Sequence, residues 1–122
     1  LKILKFLAAA LIALFAVSSL AGCSTEKLDP QSYAAIIDVR EQSEWDGGHL
    51  EGAVLIPIAA SDFQAQISEL DPSLDYYIYC RSGNRAGQAI TQMRDLGFTG
   101  ELINGGSVAN ASSQLGLAVV KD

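Results

Sequence analysis

The sequence predicts an α/β domain, a mostly parallel sheet covered by helices on both faces, because short apolar runs alternate with segments of helical spacing. Ile36-Ile37-Asp38-Val39, Val54-Leu55-Ile56 and Tyr76-Tyr77-Ile78-Tyr79 are brief runs closed by polar residues or by Gly and Pro. Glu101-Leu102-Ile103 is a weaker fourth. Their length, β-branching and aromatic content read as strands. Between the second and third, Ser61-Asp62-Phe63-Gln64 has the spacing of a capping box and opens a helix with Phe63, Ile67 and Leu70 on one face. After Cys80, residues Ala86, Ala89, Ile90, Met93 and Leu96 keep helical spacing until Gly97, the expected left-handed cap. In open sheets of this kind ligands gather beyond the carboxyl ends of the strands, where the following helices begin. Cys80 stands at that place.

The first thirty residues read differently. Lys2 and Lys5 precede an uncharged apolar run of twelve residues, Phe6 to Val17, followed by small residues and Leu20-Ala21-Gly22-Cys23. This is the layout of a secretory signal peptide, and the run is shorter than the roughly 20 residues that cross a bilayer as a helix. Leu-Ala-Gly-Cys resembles the bacterial lipobox, in which cleavage precedes the cysteine and its sulfur carries lipid. The expected organisation is therefore a signal peptide over residues 1–22, a lipidated tether over 23–30 beginning at Cys23, and a globular domain over 31–122. The expected location is outside the cytoplasm, held to a membrane by that lipid.

With 122 residues, 49% hydrophobic and 18% charged, the chain holds one small domain plus an extension. Its formal charge is -6. Removing Lys2 and Lys5 from eight basic residues leaves six against fourteen acidic, and no Lys/Arg cluster of the kind that neutralises phosphates occurs, so nucleic acid is excluded as a partner. Against that acidic background Arg81 and Arg85 flank the loop after Cys80. With Cys23 lipidated, Cys80 is the remaining thiol of the two cysteines.

The segment Cys80-Arg81-Ser82-Gly83-Asn84-Arg85 carries the chemistry. Gly83 and Asn84 tolerate positive φ, so the backbone can curl until successive N–H groups point at one spot, a nest for an anion. A helix starting near Ala86 adds its own unsatisfied N–H groups and positive dipole end, and the arginines add full charges. These surroundings favour a thiolate nucleophile without a general base. The single histidine, His49, assembles neither a Cys-His-Asn arrangement nor a metal site, and the chemistry calls for no cofactor.

This loop matches the rhodanese pattern C-R-x-G-x-[R/T] at every specified position. Asp38-Val39-Arg40-Glu41, Glu44-Trp45, Gly48-His49-Leu50-Glu51-Gly52-Ala53 and Gly105-Gly106 resemble further signatures of that family, and together they span about residues 31 to 117. The resemblance implies a five-stranded sheet and a sulfurtransferase of the thiosulfate type. In its ping-pong cycle Cys80 takes sulfane sulfur from thiosulfate or a similar small anionic donor, holds it as a persulfide within Arg81 to Arg85, and passes it to cyanide or a thiol. Lys27 to Ala35 leaves room for only one or two turns before the Asp38 strand, so the family's first strand and helix are expected to be abbreviated. Asn110 stands near the place of a common tryptophan, and Ala86 where a serine is frequent.

Asp38 and Arg40 are expected as supporting scaffold tied by charge-assisted hydrogen bonds, and His49 as a hydrogen-bonded strut. Trp45, Tyr76, Tyr77 and Tyr79 read as core or rim aromatics. Two other functions share these residues. One is a persulfide relay or sensing module of the same fold. The other is a cysteine phosphatase or arsenate reductase, whose comparable loops place five residues between Cys and Arg where this chain has four.

Overall fold

The computed structural model describes residues 26–121; the expected signal peptide and Cys23 lie outside the described residues. The chain enters through a 3-10 turn, Pro30–Ser32, where the Asp29 carboxylate accepts the Gln31 N–H at 2.9 Å. It then runs through β1 (Ala35–Asp38), α1 (Gln42–Asp46), β2 (His49–Leu50), β3 (Val54–Leu55), α2 (Phe63–Ser68), β4 (Tyr76–Tyr79), α3 (Asn84–Asp95), β5 (Leu102–Asn104), α4 (Val108–Leu115) and β6 (Val119–Val120).

Strands β3, β1, β4 and β5 form, in that order, a central sheet in which every pairing is parallel. In the register Ile37 lies beside Val54 and Ile78, and Asp38 beside Leu55 and Tyr79. Side chains alternate across a strand, and here both sets are buried. Ile37, Val39, Tyr76, Ile78 and Cys80 pack with Phe63 and Ile67 of α2 and with Ala86, Ala89 and Met93 of α3. On the other face Ile36, Tyr77 and Tyr79 pack with Leu50 and with Ala111 and Leu115 of α4. The two-sided burial explains why the strands read as unbroken apolar runs. It is the expected α/β architecture.

Several details differ from expectation. Among the described residues the central sheet has four strands, not five. The segment before β1 is abbreviated, as expected, here to the 3-10 turn, and Pro30 occupies its first position, where the lack of an N–H is tolerated. Strands β2 and β6 form a separate antiparallel pair, His49 beside Val120 and Leu50 beside Val119. The capping box at Ser61 does not form: the Phe63 N–H goes to the Ala60 carbonyl, and Asp62, at the N-cap, makes no side-chain bond. A reciprocal cap occurs instead at α1, between Glu41 and Glu44. The apolar stripe of α3 ends at Met93. Leu96 is 41% exposed, and Phe98, beyond the predicted left-handed Gly97 (φ 95°), turns back into the core.

The register supplies a paired test of this burial. Ile37→Ala should cost about 2–5 kcal/mol by opening a cavity in the sheet. Its neighbour Val54 is 43% exposed on the outer strand, and Val54→Ala should cost about 1 kcal/mol or less. Urea unfolding midpoints at constant m-value read the difference.

Candidate functional site

Parallel pairing brings the carboxyl ends of β1, β4 and β5 to one edge of the sheet, so the loops that follow them meet. Cys80, directly after β4, is fixed from both sides: its N–H donates to the Gly106 carbonyl at 2.9 Å, and the preceding Tyr79 carbonyl accepts the Val39 N–H at 3.1 Å. Its side chain is fully buried. The Gly83 N–H donates to Cys80 Sγ at 2.9 Å, closing the loop back on the sulfur. Gly83 has φ 97°, and a Cβ on it would stand 3.3 Å from Gly106 Cα and 3.4 Å from Asn104 Oδ1. Backbone conformation and lack of space both demand glycine there.

Asn104, the last residue of β5, clamps this arrangement. Its amide donates to the Gly83 carbonyl at 2.9 Å, and its Oδ1 accepts the Gly106 N–H at 3.0 Å. Asn110 donates to the Gly105 carbonyl at 2.7 Å, so the residue near the family's tryptophan position supports the double glycine by a hydrogen bond instead of a ring. Gly105 itself lies so close to the Tyr77 ring that a Cβ would collide with it.

Not every loop residue lies where the sequence suggests. Asn84 does not take positive φ; it is the first residue of α3, two positions earlier than expected, and among the described residues only glycines have positive φ. The early start follows from Gly83, whose left-handed conformation turns the chain directly into the helix. Arg81, Ser82 and Asn84 are exposed, while Arg85 lies in the first helical turn. There it is engaged by Glu44 of α1 in a bidentate pair, Nη1 to Oε1 at 2.6 Å and Nη2 to Oε2 at 2.9 Å. The Arg85 hydrogen bond, reinforced by the Glu41 N–H and by the charges of Arg85 and Arg40, outweighs burial and holds the Glu44 carboxyl down at about 2. Arg85 is raised above the usual guanidinium value, first by its bond to Glu44; the neighbouring Cys80 and Glu41 contribute smaller Coulombic effects.

Asp38 and Arg40 form a second closed unit. Asp38 Oδ1 accepts the Arg40 N–H at 2.9 Å and Nε at 3.0 Å, Oδ2 accepts Nη2 at 2.8 Å, and Nη2 also reaches the Gly48 carbonyl at 2.7 Å. Both residues are buried, and the unit ties the end of β1 to the turn before β2. Beside it the Tyr79 hydroxyl accepts the Leu50 N–H at 3.0 Å, and burial raises that phenol well above its ordinary value. His49 is buried and stacked on Trp45, with ring centroids 3.5 Å apart and planes within 4°, and its Nδ1 lies 3.2 Å from the Trp45 carbonyl. These contacts suit a strut between α1 and β2.

The site therefore brings together Cys80, Gly83 and Arg85 and adds Glu44, Asn104 and Gly106. Asp38, Arg40 and His49 brace the neighbouring turn. Glu44 stood in a recognised motif, but its partner is 41 residues away. Asn104 carried one faint signal, a polar residue closing an apolar run just before Gly105-Gly106. Two surface hollows of about 300 and 360 Å³ open at the opposite end of the sheet, around Tyr33 and Ala34, away from the Cys80 loop. Among the described residues no three His, Cys, Asp or Glu side chains gather as a metal site requires.

The ion pair gives the domain a defined acid response. Glu44 has its carboxyl at about 2 when folded, below its ordinary 4.5, so the unfolded chain binds more protons between these values. The stabilisation is present in full above about pH 4.5 and lost as pH falls through about 2. Glu44→Gln should reduce stability at neutral pH by about 1 kcal/mol, the scale for a partly exposed bidentate pair. That deficit should close as the pH approaches 2, as followed by urea unfolding at a series of pH values.

Comparison with known proteins agrees with this geometry. The model of the Rhodanese-like domain matches residues 24–112. MoeZ of Mycobacterium tuberculosis, whose name proposes adenylyltransferase and sulfurtransferase activities, is 34% identical over 83 residues, 67% of this chain and 21% of that protein. YtwF of Bacillus subtilis, whose name proposes a sulfurtransferase, is 31% identical over 84 residues, 69% of this chain and 80% of that protein. The chain spans between about a fifth and about half the length of several of the curated relatives it matches, MoeZ among them. Among solved structures, the Rhodanese_3-like domain of the Anabaena protein Alr3790 superposes with a TM-score of 0.62 at 30% identity, covering 72% of this chain and 92% of that one. A rhodanese with anions from E. coli gives 0.59 at 25% identity, covering 72% and 98%. From the Asp38 strand through the Cys80 loop to the double glycine, this chain belongs to the rhodanese-like domain family.

Proposed function

We propose that this protein is a sulfurtransferase that carries sulfane sulfur on Cys80 as a persulfide, taking it from thiosulfate or a similar small donor and delivering it to a thiol or cyanide. The observation that carries the reading is the 2.9 Å hydrogen bond from the Gly83 N–H to Cys80 Sγ at the threshold of α3. A backbone donor aimed at the sulfur, with the helix N-terminus behind it, stabilises negative charge on sulfur and keeps its position as the charge moves. The reaction is substitution at sulfur. The Cys80 thiolate attacks the outer sulfur of the donor, the donor's bond pair leaves with sulfite or a thiolate, and a second nucleophile later removes the bound sulfur.

The full burial of Cys80 favours a second version of the same chemistry, in which the persulfide is relayed to a partner protein with little free turnover. The phosphatase reading is disfavoured by charge as well as by loop length. A phosphate cradle clamps the anion with the arginine that closes its loop, and here that residue, Arg85, is already held by Glu44.

Incubating the protein with thiosulfate should leave one additional sulfur on Cys80, visible by mass spectrometry and removed by cyanide. Cys80→Ser should abolish both events without altering the fold, and hydrolysis of aryl phosphates should be negligible. Full sulfur transfer by Cys80→Ser, or efficient phosphatase activity with no response to thiosulfate, would overturn the assignment.

We further propose that the domain is exported and membrane-anchored, resting on the lysines, apolar run and Leu20-Ala21-Gly22-Cys23 of the N-terminal segment. The mature N-terminus should then be Cys23 bearing lipid. Detecting Leu1 on protein recovered from the cytoplasm is the contrary result.

A further inference from the structure

The charges around Cys80 are unusually well cancelled for a site expected to receive a dianion. Arg85, the loop's closing arginine, spends both terminal nitrogens on Glu44. Arg40 is consumed by Asp38 and the Gly48 carbonyl. Arg94 lies nine residues further along α3, about 14 Å away at the helical rise per residue, and donates to the Phe98 and Gly100 carbonyls. Arg81 remains, exposed and without an ion-pair partner among the described residues. The exposed Glu41 adds a further negative charge that acts on Arg85. The mouth of the site is therefore close to neutral, on a domain with an excess of acidic residues.

We propose that Glu44 is a specificity-determining residue: by holding Arg85 in a bidentate pair it withholds that positive charge from the donor, and so favours hydropersulfides, R–S–SH, over the thiosulfate dianion. The proposal rests on the sulfurtransferase reading and names its substrate class. A hydropersulfide carries at most one negative charge on its reacting group, which a backbone N–H and Arg81 can accommodate. Thiosulfate brings two charges in and sends sulfite out with two, past Glu41 and Glu44. With the hydropersulfide, the Cys80 thiolate attacks the terminal sulfur, the donor's S–S bond breaks, and its electron pair leaves on R–S⁻. A Cys80–S–SH group forms, the hydrogen staying on the transferred sulfur, and no oxidant or reductant is needed.

The test compares two donors on the full chain and on Glu44 variants: thiosulfate, and the hydropersulfide of 2-mercaptoethanol, whose remainder is uncharged. The readout is the rate of Cys80 sulfur loading per unit donor concentration, followed by mass spectrometry in a single turnover, and the quantity of interest is the ratio of the two. Wild type should load faster from the hydropersulfide. Glu44→Gln keeps the size of the side chain and one acceptor but releases the Arg85 charge, and should raise the thiosulfate-to-hydropersulfide ratio roughly fivefold, the factor for about one exposed charge pair. The gain should shrink at high salt. Glu44→Asp keeps the charge while altering the reach, so any slowing should fall on both donors and leave the ratio near wild type.

A ratio unchanged or lowered in Glu44→Gln, with Cys80 still loaded, would overturn the proposal. A ratio raised equally by Glu44→Asp would assign the effect to loop geometry and overturn it too. Failure of both donors to load wild-type Cys80 is the separate result that removes the sulfurtransferase reading, and this proposal with it.

Discussion

Because β4 is hydrogen-bonded to β1 on one side and to β5 on the other, and its alternate side chains are locked into two different clusters, the backbone arriving at Cys80 has no slack. A shift of one residue would exchange the two sets of side chains between faces. It would drive the phenols of Tyr77 and Tyr79 into the cluster of Ile37, Phe63 and Met93. That penalty holds the register and places the sulfur. Everything local to the site follows from it: the Gly106 carbonyl meets the Cys80 N–H because β5 ends beside β4, and Asn104 can reach Gly83 because it closes β5. The loop is shaped by its neighbours in space more than by its own six residues.

The same convergence concentrates charge, which the fold handles by pairing. Asp38 and Arg40 are both buried, and a charge taken from water is tolerated when its hydrogen bonds are complete. Here four bonds from Arg40 satisfy Asp38, and Arg40 gains a carbonyl as well. Glu44 and Arg85 are a quarter to a third exposed and contribute less to stability. Their effect is directional: the pair joins α1 to the first turn of α3, so the position of Arg85 depends on a helix that the sequence places next to β1. A residue that supplies positive charge to the loop is thereby controlled from outside it.

What was legible in the sequence is what depends on local periodicity. Tyr76 to Tyr79 stood out as a strand because four bulky residues in a row have no helical reading that buries only one face, and Cys80 stood out because a Gly and two arginines surrounded it. The two-residue strands β2 and β6 are too short to carry a period, and α4, with its Ala, Ser and Asn, has only Ala111 and Leu115 fully buried. Neither left a pattern to read. The helix start was misplaced by two residues because Asn84 and Arg85 are polar and the apolar stripe begins at Ala86; the turn chemistry of Gly83 decided the boundary. The family resemblance brought a fifth strand with it, and Pro30 in the short entry segment left a 3-10 turn in its place. Glu44 and Asn104 belong to the site through contacts 41 and 21 residues long, and no local pattern encodes such distances.

Burial of the sulfur and its proposed reactivity can be reconciled through the loop's composition. Cys80 belongs to the apolar cluster by position, yet its cover on the solvent side is Arg81-Ser82-Gly83, two exposed residues and a glycine whose N–H already points at the sulfur. A donor would therefore meet a small, polar cover instead of a packed hydrophobic wall, held to the sulfur by one hydrogen bond. Adding a second sulfur lengthens the side chain by about 2 Å, the S–S bond length. In the proposed persulfide the transferable atom would thus be carried away from the cluster that holds the first. In a persulfide the inner sulfur would stay anchored by the strand, while the outer one occupies the space governed by the loop's N–H groups and by Arg81. Placing the cysteine deep and its cover light would let the fold hold one sulfur of the proposed persulfide rigidly and offer the other.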